Sequence, residues 1–235
     1  MDVDMPKQRQ MKKKAMNVQD SRTPISKEQI LHEAVHLADE KGIESLSMRA
    51  LGKRLGVEAM SLYNHVAGKE EMLDGMVDLV VMEIDLPDEK EDWRKAMRKR
   101  ALSARDAFAR HPWVSVLIDS RLGGGPGRLR YFESVIGSLR RSGFSLQLSA
   151  RAFSLIDSYI YGFGRQSASL ASTDANTANA AKDFLSTLPL NEYPYLREIA
   201  SDHAAGPGYN EAEDFEFGLT LILDGLQRLL DSGQS

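Results

Sequence analysis

Cysteine is absent from the 235 residues. That excludes disulfides, thiolate metal sites and thiol nucleophiles. No apolar run approaches the roughly 20 residues of a membrane span, and the first residues lack the apolar core of a secretory signal. A cytoplasmic protein with no membrane partner is therefore expected. A basic surplus is missing too: 30 Lys/Arg stand against 34 Asp/Glu, a net charge of −4. Bulk charge thus advertises no nucleic-acid partner. Neither an internal repeat nor an alternating strand pattern is present. The glycine-rich run Gly123-Gly124-Gly125-Pro126-Gly127 lacks the Lys-Ser/Thr of a Walker loop and follows no strand, so it reads as a flexible helix connection and no nucleotide or other cofactor is expected.

What is present is helix after helix, beginning beyond a polar stretch. Residues 1–25 carry six Lys/Arg against three Asp and no apolar period, which predicts disorder. Two readings of them stand, a basic arm reaching along DNA and a solvated tail. Ser26 suits an N-cap. Ile30, Leu31, Ala34, Val35, Leu37 and Ala38 then fill one side of a first helix, with His32, Glu33, His36, Asp39 and Glu40 on the other. Gly42 ends it.

The stretch Ser47–Lys69 organises the rest. Ser47 is an N-cap, Leu51 and Leu55 share a face, and Gly56 is placed as a left-handed C-terminal cap. A second helix starts near Glu58 with Leu62 and Val66 turned inward, and Gly52 is small where the two helices cross. These offsets fit a helix-turn-helix, whose second helix enters the DNA major groove. Ala59, Met60, Ser61, Tyr63 and Asn64 are left outward. Arg49, Lys53, Arg54 and Lys69 supply local positive charge, and Lys69 at the start of a fourth helix forms a phosphate clamp with the free N–H groups there.

Downstream, Leu86-Pro87-Asp88 ends the fourth helix near Ile84. A fifth runs from Asp92-Trp93 to about Arg110, with a stripe of Trp93, Met97, Ala101, Ala104 and Phe108. Arg100 falls inside that stripe and needs a partner, either a carboxylate such as Asp157 or an acidic or carbonyl-bearing ligand. A short helix covers Val114–Ile118. A seventh spans about Arg128 to Arg141, burying Leu129, Phe132, Val135, Ile136 and Leu139. Helix 8 (about Ser145 to Ser169) and helix 10 (about Glu211 to Leu230) are apolar around most of their circumference, which predicts a second subunit covering what one core cannot. A short helix 9 is expected from Tyr193 to Ala200, after a mobile Ala/Ser/Thr/Asn-rich segment at 171–190.

The runs AVHLADEKGIESLSMRALGKRLGV and SLYNHVAGKEEML resemble the DNA-binding head of the tetracycline-repressor (TetR) family. Asp92-Trp93-Arg94, Arg110-His111-Pro112-Trp113, Ser142-Gly143-Phe144-Ser145 and Phe215-Glu216-Phe217-Gly218-Leu219 extend a looser resemblance through the body. The resemblance implies an all-α protein. It divides into a basic arm at 1–25, a three-helix helix-turn-helix head at 26–75, and a helical ligand-binding and dimerisation domain at 76–235. It implies a homodimer joined through helices 8 and 10, a double-stranded palindromic operator, and a small-molecule effector that shifts the heads. Carried onto this sequence, Arg49 contacts a base or phosphate. Ala59, Met60 and Ser61 face bases, Asn64 lies beside them, and Tyr63, His65 and Lys69 hold phosphates. Ala59 and Met60 replace more polar or rigid residues, so hydrogen-bond readout is poorer and thymine-methyl contact richer.

In the pocket, Ile118 and Gln166 stand where tetracycline repressors carry a metal-binding His and a Glu, so magnesium–tetracycline chelation is not expected. Arg100, Ile118, Tyr131, Val135, Phe153, Asp157 and Gln166 form the expected lining, suited to a largely apolar effector with a few polar groups. Two rivals remain. His32-Glu33-Ala34-Val35-His36 matches the H-E-x-x-H zinc-hydrolase pattern, though it lacks a third ligand and a cleft; the leading reading has no metal and no catalytic residue. The other rival is a DNA-binding dimer that answers to no ligand.

Overall fold

The computed structural model describes residues 25–121, 124–171, 189, 192–198 and 210–233. Every regular element among them is helical. Helix α1 (Lys27–Lys41) starts at a reciprocal capping box. The Ser26 hydroxyl accepts the Gln29 N–H at 3.1 Å, and the Gln29 side chain takes the Ser26 N–H at 3.0 Å. Its buried residues are Ile30, Leu31, Ala34, Val35, Leu37 and Ala38, the face that a 3.6-residue period selects. A single 3-10 turn, Ile43–Ser45, leads into α2 (Met48–Leu55), whose N-cap Ser47 accepts the Ala50 N–H at 3.1 Å. Gly56 stops α2 with φ 69° and ψ 31°, a conformation that glycine adopts without a Cβ penalty. Helix α3 (Ala59–Leu62) continues as turns, the His65 and Val66 N–H groups reaching the Leu62 carbonyl.

Helix α4 (Lys69–Met82) packs along α1 at one end and against the body at the other. The body follows with α5 (Trp93–Arg110), α6 (Val114–Leu117) with a 3-10 turn at Ile118–Ser120, α7 (Pro126–Arg141), α8 (Leu146–Ala171), α9 (194–198) and α10 (Glu211–Asp231). Helix α8 is central, contacting α5, α6, α7 and α10. The stripe expected on α5 is buried in full, with Trp93 set edge-on to Phe144 at 4.8 Å between ring centres.

Helix α7 departs from the sequence expectation. It begins at Pro126 rather than near Arg128, and it is rolled so that Leu129 is 60% and Phe132 39% exposed, while Arg128 and Tyr131 are buried. The cause is Asp78 on α4, a buried carboxylate that accepts the N–H of Gly127 at 3.0 Å and of Arg128 at 2.8 Å. A carboxylate at a helix N-terminus meets both the free N–H groups and the positive end of the dipole. A Cβ on Gly125 would collide with the Asp78 carboxylate, and one on Gly127 would collide with Met82 and crowd Asp78. Gly125 and Gly127 therefore accommodate an anion supplied by the protein itself. Residues 1–24 and 172–188 lie outside the described residues, so the expected arm and the 171–190 segment gain no structural account. The end of the expected ninth helix, 199–200, lies outside them as well.

Candidate nucleic-acid interface and body cavity

Two fully buried aliphatics, Leu51 on α2 and Leu62 on α3, together with Val66, seat the helix-turn-helix on α1. The crossing is close. A Cβ on Gly52 would stand 2.9 Å from the Val57 carbonyl oxygen and 3.2 Å from the Ala59 nitrogen. With Leu62 and Val66 inward, Met60, Ser61, Tyr63, Asn64 and His65 are exposed and Ala59 is half-buried. Met60 is 74% and Tyr63 46% exposed, so neither is held by the core of the head. Arg49 near the start of α2 and Lys69 at the start of α4 are exposed as well. Among the described residues, no hydrogen bond or ion pair engages the side chains of Arg49, Lys53, Tyr63, His65 or Lys69.

Arg54 is different. Its Nε donates to Glu33 at 2.5 Å and its two Nη groups to Glu40 at 2.7 and 2.8 Å. These bonds push the Arg54 guanidinium above its ordinary range and hold Glu40 below the usual carboxylate range. Arg54 therefore staples α2 to α1 and is withdrawn from the local positive charge. The same staple uses Glu33 of the His32-Glu33-Ala34-Val35-His36 motif. His32 lies 4.0 Å from Glu28, and no cluster of three His, Asp or Glu placed to hold a metal occurs among the described residues.

A junction that the sequence reading missed locks head to body. His111 Nδ1 lies 2.9 Å from Asp39 on α1, and its Nε2 lies 3.1 Å from Glu83 just past α4. The Trp113 indole donates to the same Asp39 carboxylate at 2.7 Å. The signal was a His and a Trp, each with a polar tip, around the proline that ends α5.

The body holds a cavity of about 380 Å³. Val81 of α4, Ile118 and Arg121 after α6, Arg128, Tyr131 and Phe132 of α7, and Phe153, Asp157, Ser158 and Tyr161 of α8 form its walls. Phe132 and Phe153 meet edge-on at 5.1 Å. Of the seven expected lining residues, Ile118, Tyr131, Phe153 and Asp157 are on these walls. Arg100 lies behind them, donating to Asp157 at 2.7 Å and to the Tyr131 oxygen. Val135 is in the core, and Gln166 is exposed and away from the cavity. Arg121, Arg128 and Tyr161 were not anticipated. Tyr161 donates to Asp157 at 2.9 Å, so that carboxylate is shared by one guanidinium and two phenols. Burial is the main reason the Tyr131 and Tyr161 hydroxyls are pushed above their ordinary range, and the Asp157 charge adds to it at both. Both phenols stay protonated donors. Burial opposes the Arg100 charge, and the Tyr131 and Asp157 oxygens outweigh it.

A helix-turn-helix head coupled by one long helix to a hollow helical body is the architecture of a one-component transcriptional regulator. Residues 30–76 match the family described as bacterial regulatory proteins, tetR family. Residues 86–230 match the tetracyclin repressor-like C-terminal domain. The chain belongs to the TetR family of bacterial transcriptional regulators. Its similarity to the transcriptional repressor DrrR1 of Streptomyces coeruleorubidus is 32% identity over 216 residues, spanning 88% of this chain and 78% of that one. The crystal structure of apo ActR from Streptomyces coelicolor superposes with a TM-score of 0.76 at 26% identity, covering 91% of this chain and all of that one. ActR in complex with actinorhodin gives a TM-score of 0.73 at 26% identity, covering 88% and 97%.

Proposed function

We propose that the chain is a repressor that binds a palindromic duplex as a homodimer and leaves it when a small molecule occupies the body cavity. The observation that carries the proposal is the exposed set on and beside α3. Met60, Ser61, Tyr63, Asn64 and His65, with Ala59 at the edge, sit on a segment whose inner side is locked by Leu62 and Val66. Arg49 and Lys69 frame it with charges that no other described group engages. In this reading Ala59, Met60 and Ser61 meet base edges, with methyl contacts to thymine prominent. Arg49, Tyr63, His65 and Lys69 hold the backbone, and Asn64 lies at the border.

The dimer is supported by apolar surface left on α8 and α10. Leu155, Phe217 and Leu221 are 48%, 69% and 55% exposed in the single chain. A two-fold dimer would place two reading heads on two half-sites about one helical turn of DNA apart, which demands an inverted repeat. The ligand response is supported by the aromatic-walled cavity and by the actinorhodin complex of the similar ActR.

The test is a selection from random duplexes on the full-length protein. Enrichment of an inverted repeat is expected, with affinity that falls in Tyr63→Ala and Lys69→Ala. Recovery of no symmetric sequence, or binding indifferent to both substitutions, would overturn the proposal.

A further inference from the structure

One guanidinium in the cavity wall lacks a counter-charge. Arg128 is 5% exposed, yet only its Nη1 is engaged, by the Arg121 carbonyl at 2.6 Å. Its Nε and Nη2 have no hydrogen-bond partner, and no carboxylate lies within ion-pair distance of it among the described residues. The neighbouring acids are already committed. Asp157, the only acid in the wall among the described residues, is held by Arg100, Tyr131 and Tyr161. Asp78 is occupied by the backbone N–H groups at the start of α7. Glu70 and Asp74 are bound by Arg121 at 2.9 Å each.

A buried cation with unpaired N–H groups is unfavourable unless something pairs it. Arg128 carries a planar fork that matches a carboxylate bidentately once its covered Nε and Nη2 turn toward the cavity. Around it the walls are apolar and aromatic: Ile118, Phe132, Phe153 and Val81. We propose that the cavity takes an acidic ligand, a flat apolar molecule bearing a carboxylate that docks on Arg128. This rests on the reading of the cavity as the effector site and narrows it, since an uncharged apolar molecule would leave the Arg128 fork unpaired. The polar end of the ligand lies at the start of α7, and its rings lie against the Phe132–Phe153 pair.

The experiment is calorimetric titration of the full-length protein with matched probes. One set is the carboxylates of naphthalene, anthracene and pyrene, and the other is the corresponding neutral carboxamides. At least one acid is expected to bind about tenfold tighter than its amide. In Arg128→Gln that preference falls to within about twofold while amide affinity stays. Arg128→Lys, which retains the charge and loses the fork, serves should the glutamine variant not fold, and is expected to weaken the acids by a smaller factor. The backbone N–H that Asp78 accepts survives in both variants. If acids and amides bind equally, or Arg128→Gln leaves the preference intact, the acidic-ligand proposal is overturned and the effector site stands. If no probe of either set binds, both readings fall.

Discussion

Arg100 tolerates substitution poorly. It is fully buried within a stripe of apolar α5 residues, and Asp157 beside it is nearly so. Removing one partner strands the other charge in a poorly solvated place, which costs about 3–5 kcal/mol. Arg100→Ala and Asp157→Ala are both expected to lose about that much in urea denaturation, whereas the paired change Arg100→Met with Asp157→Leu should lose less than either. At the exposed surface the logic is electrostatic. Lys69→Ala should weaken binding to all duplexes alike and reduce the slope of log affinity against log salt by about one, because one fewer phosphate is neutralised. Tyr63→Ala should weaken binding with little change in that slope. Equal salt slopes for wild type and Lys69→Ala would count against phosphate contact.

Helix α4 is held by anchors at three levels. At its start Glu71 binds Lys27 and accepts the Ala67 N–H, and these bonds hold its carboxyl below the usual carboxylate range. A depressed carboxylate contributes its stability fully above the unfolded value, about 4.3, and loses it as pH falls through the folded one. The urea midpoint should therefore drop on acidification below about pH 4.3, and Glu71→Gln should show a shallower drop. Over the same first two turns, Arg121 clamps Glu70 and Asp74 from the loop that borders the cavity. Farther on, Asp78 seats α7, and Asp78→Ala should cost about 1–3 kcal/mol through the unpaired N–H groups of Gly127 and Arg128. Ligand-driven changes in DNA affinity correspond to coupling of about 1–3 kcal/mol in such systems. Arg121→Ala is expected to keep unliganded DNA affinity and to shrink the fold-change that a bound aromatic acid produces, measured by anisotropy on the selected operator.

In the entire protein the head and body meet through α4 and through the His111 junction with Asp39 and Glu83. Two copies would meet through α8 and α10, where Phe217 and Leu221 are uncovered. A glutamate at Leu221 would put two like charges near a two-fold axis within an apolar contact. Leu221→Glu is expected to run as a monomer in light scattering and to bind an isolated half-site no worse than wild type, while losing the gain from a second half-site. A dimer persisting in that variant would place the interface elsewhere.

The local features were readable in the chain because their causes are local. Caps at Ser26 and Ser47, the glycine stops at Gly42 and Gly56, and the inward residues of α1 and α5 all depend on neighbours within about two turns. So did the tight crossing at Gly52 and the outward set on α3. The roll of α7 was not readable, since it depends on Asp78, 49 positions earlier. The chain alone favoured Leu129 and Phe132 as buried because a helical period cannot say where on the circle the core lies. Likewise Arg54 counted as local positive charge until Glu33 and Glu40 were found against it. Periodicity and capping act through covalent proximity, so sequence is enough for them. Pairing of buried charges acts between segments that only folding brings together, and there the packed structure made the choice.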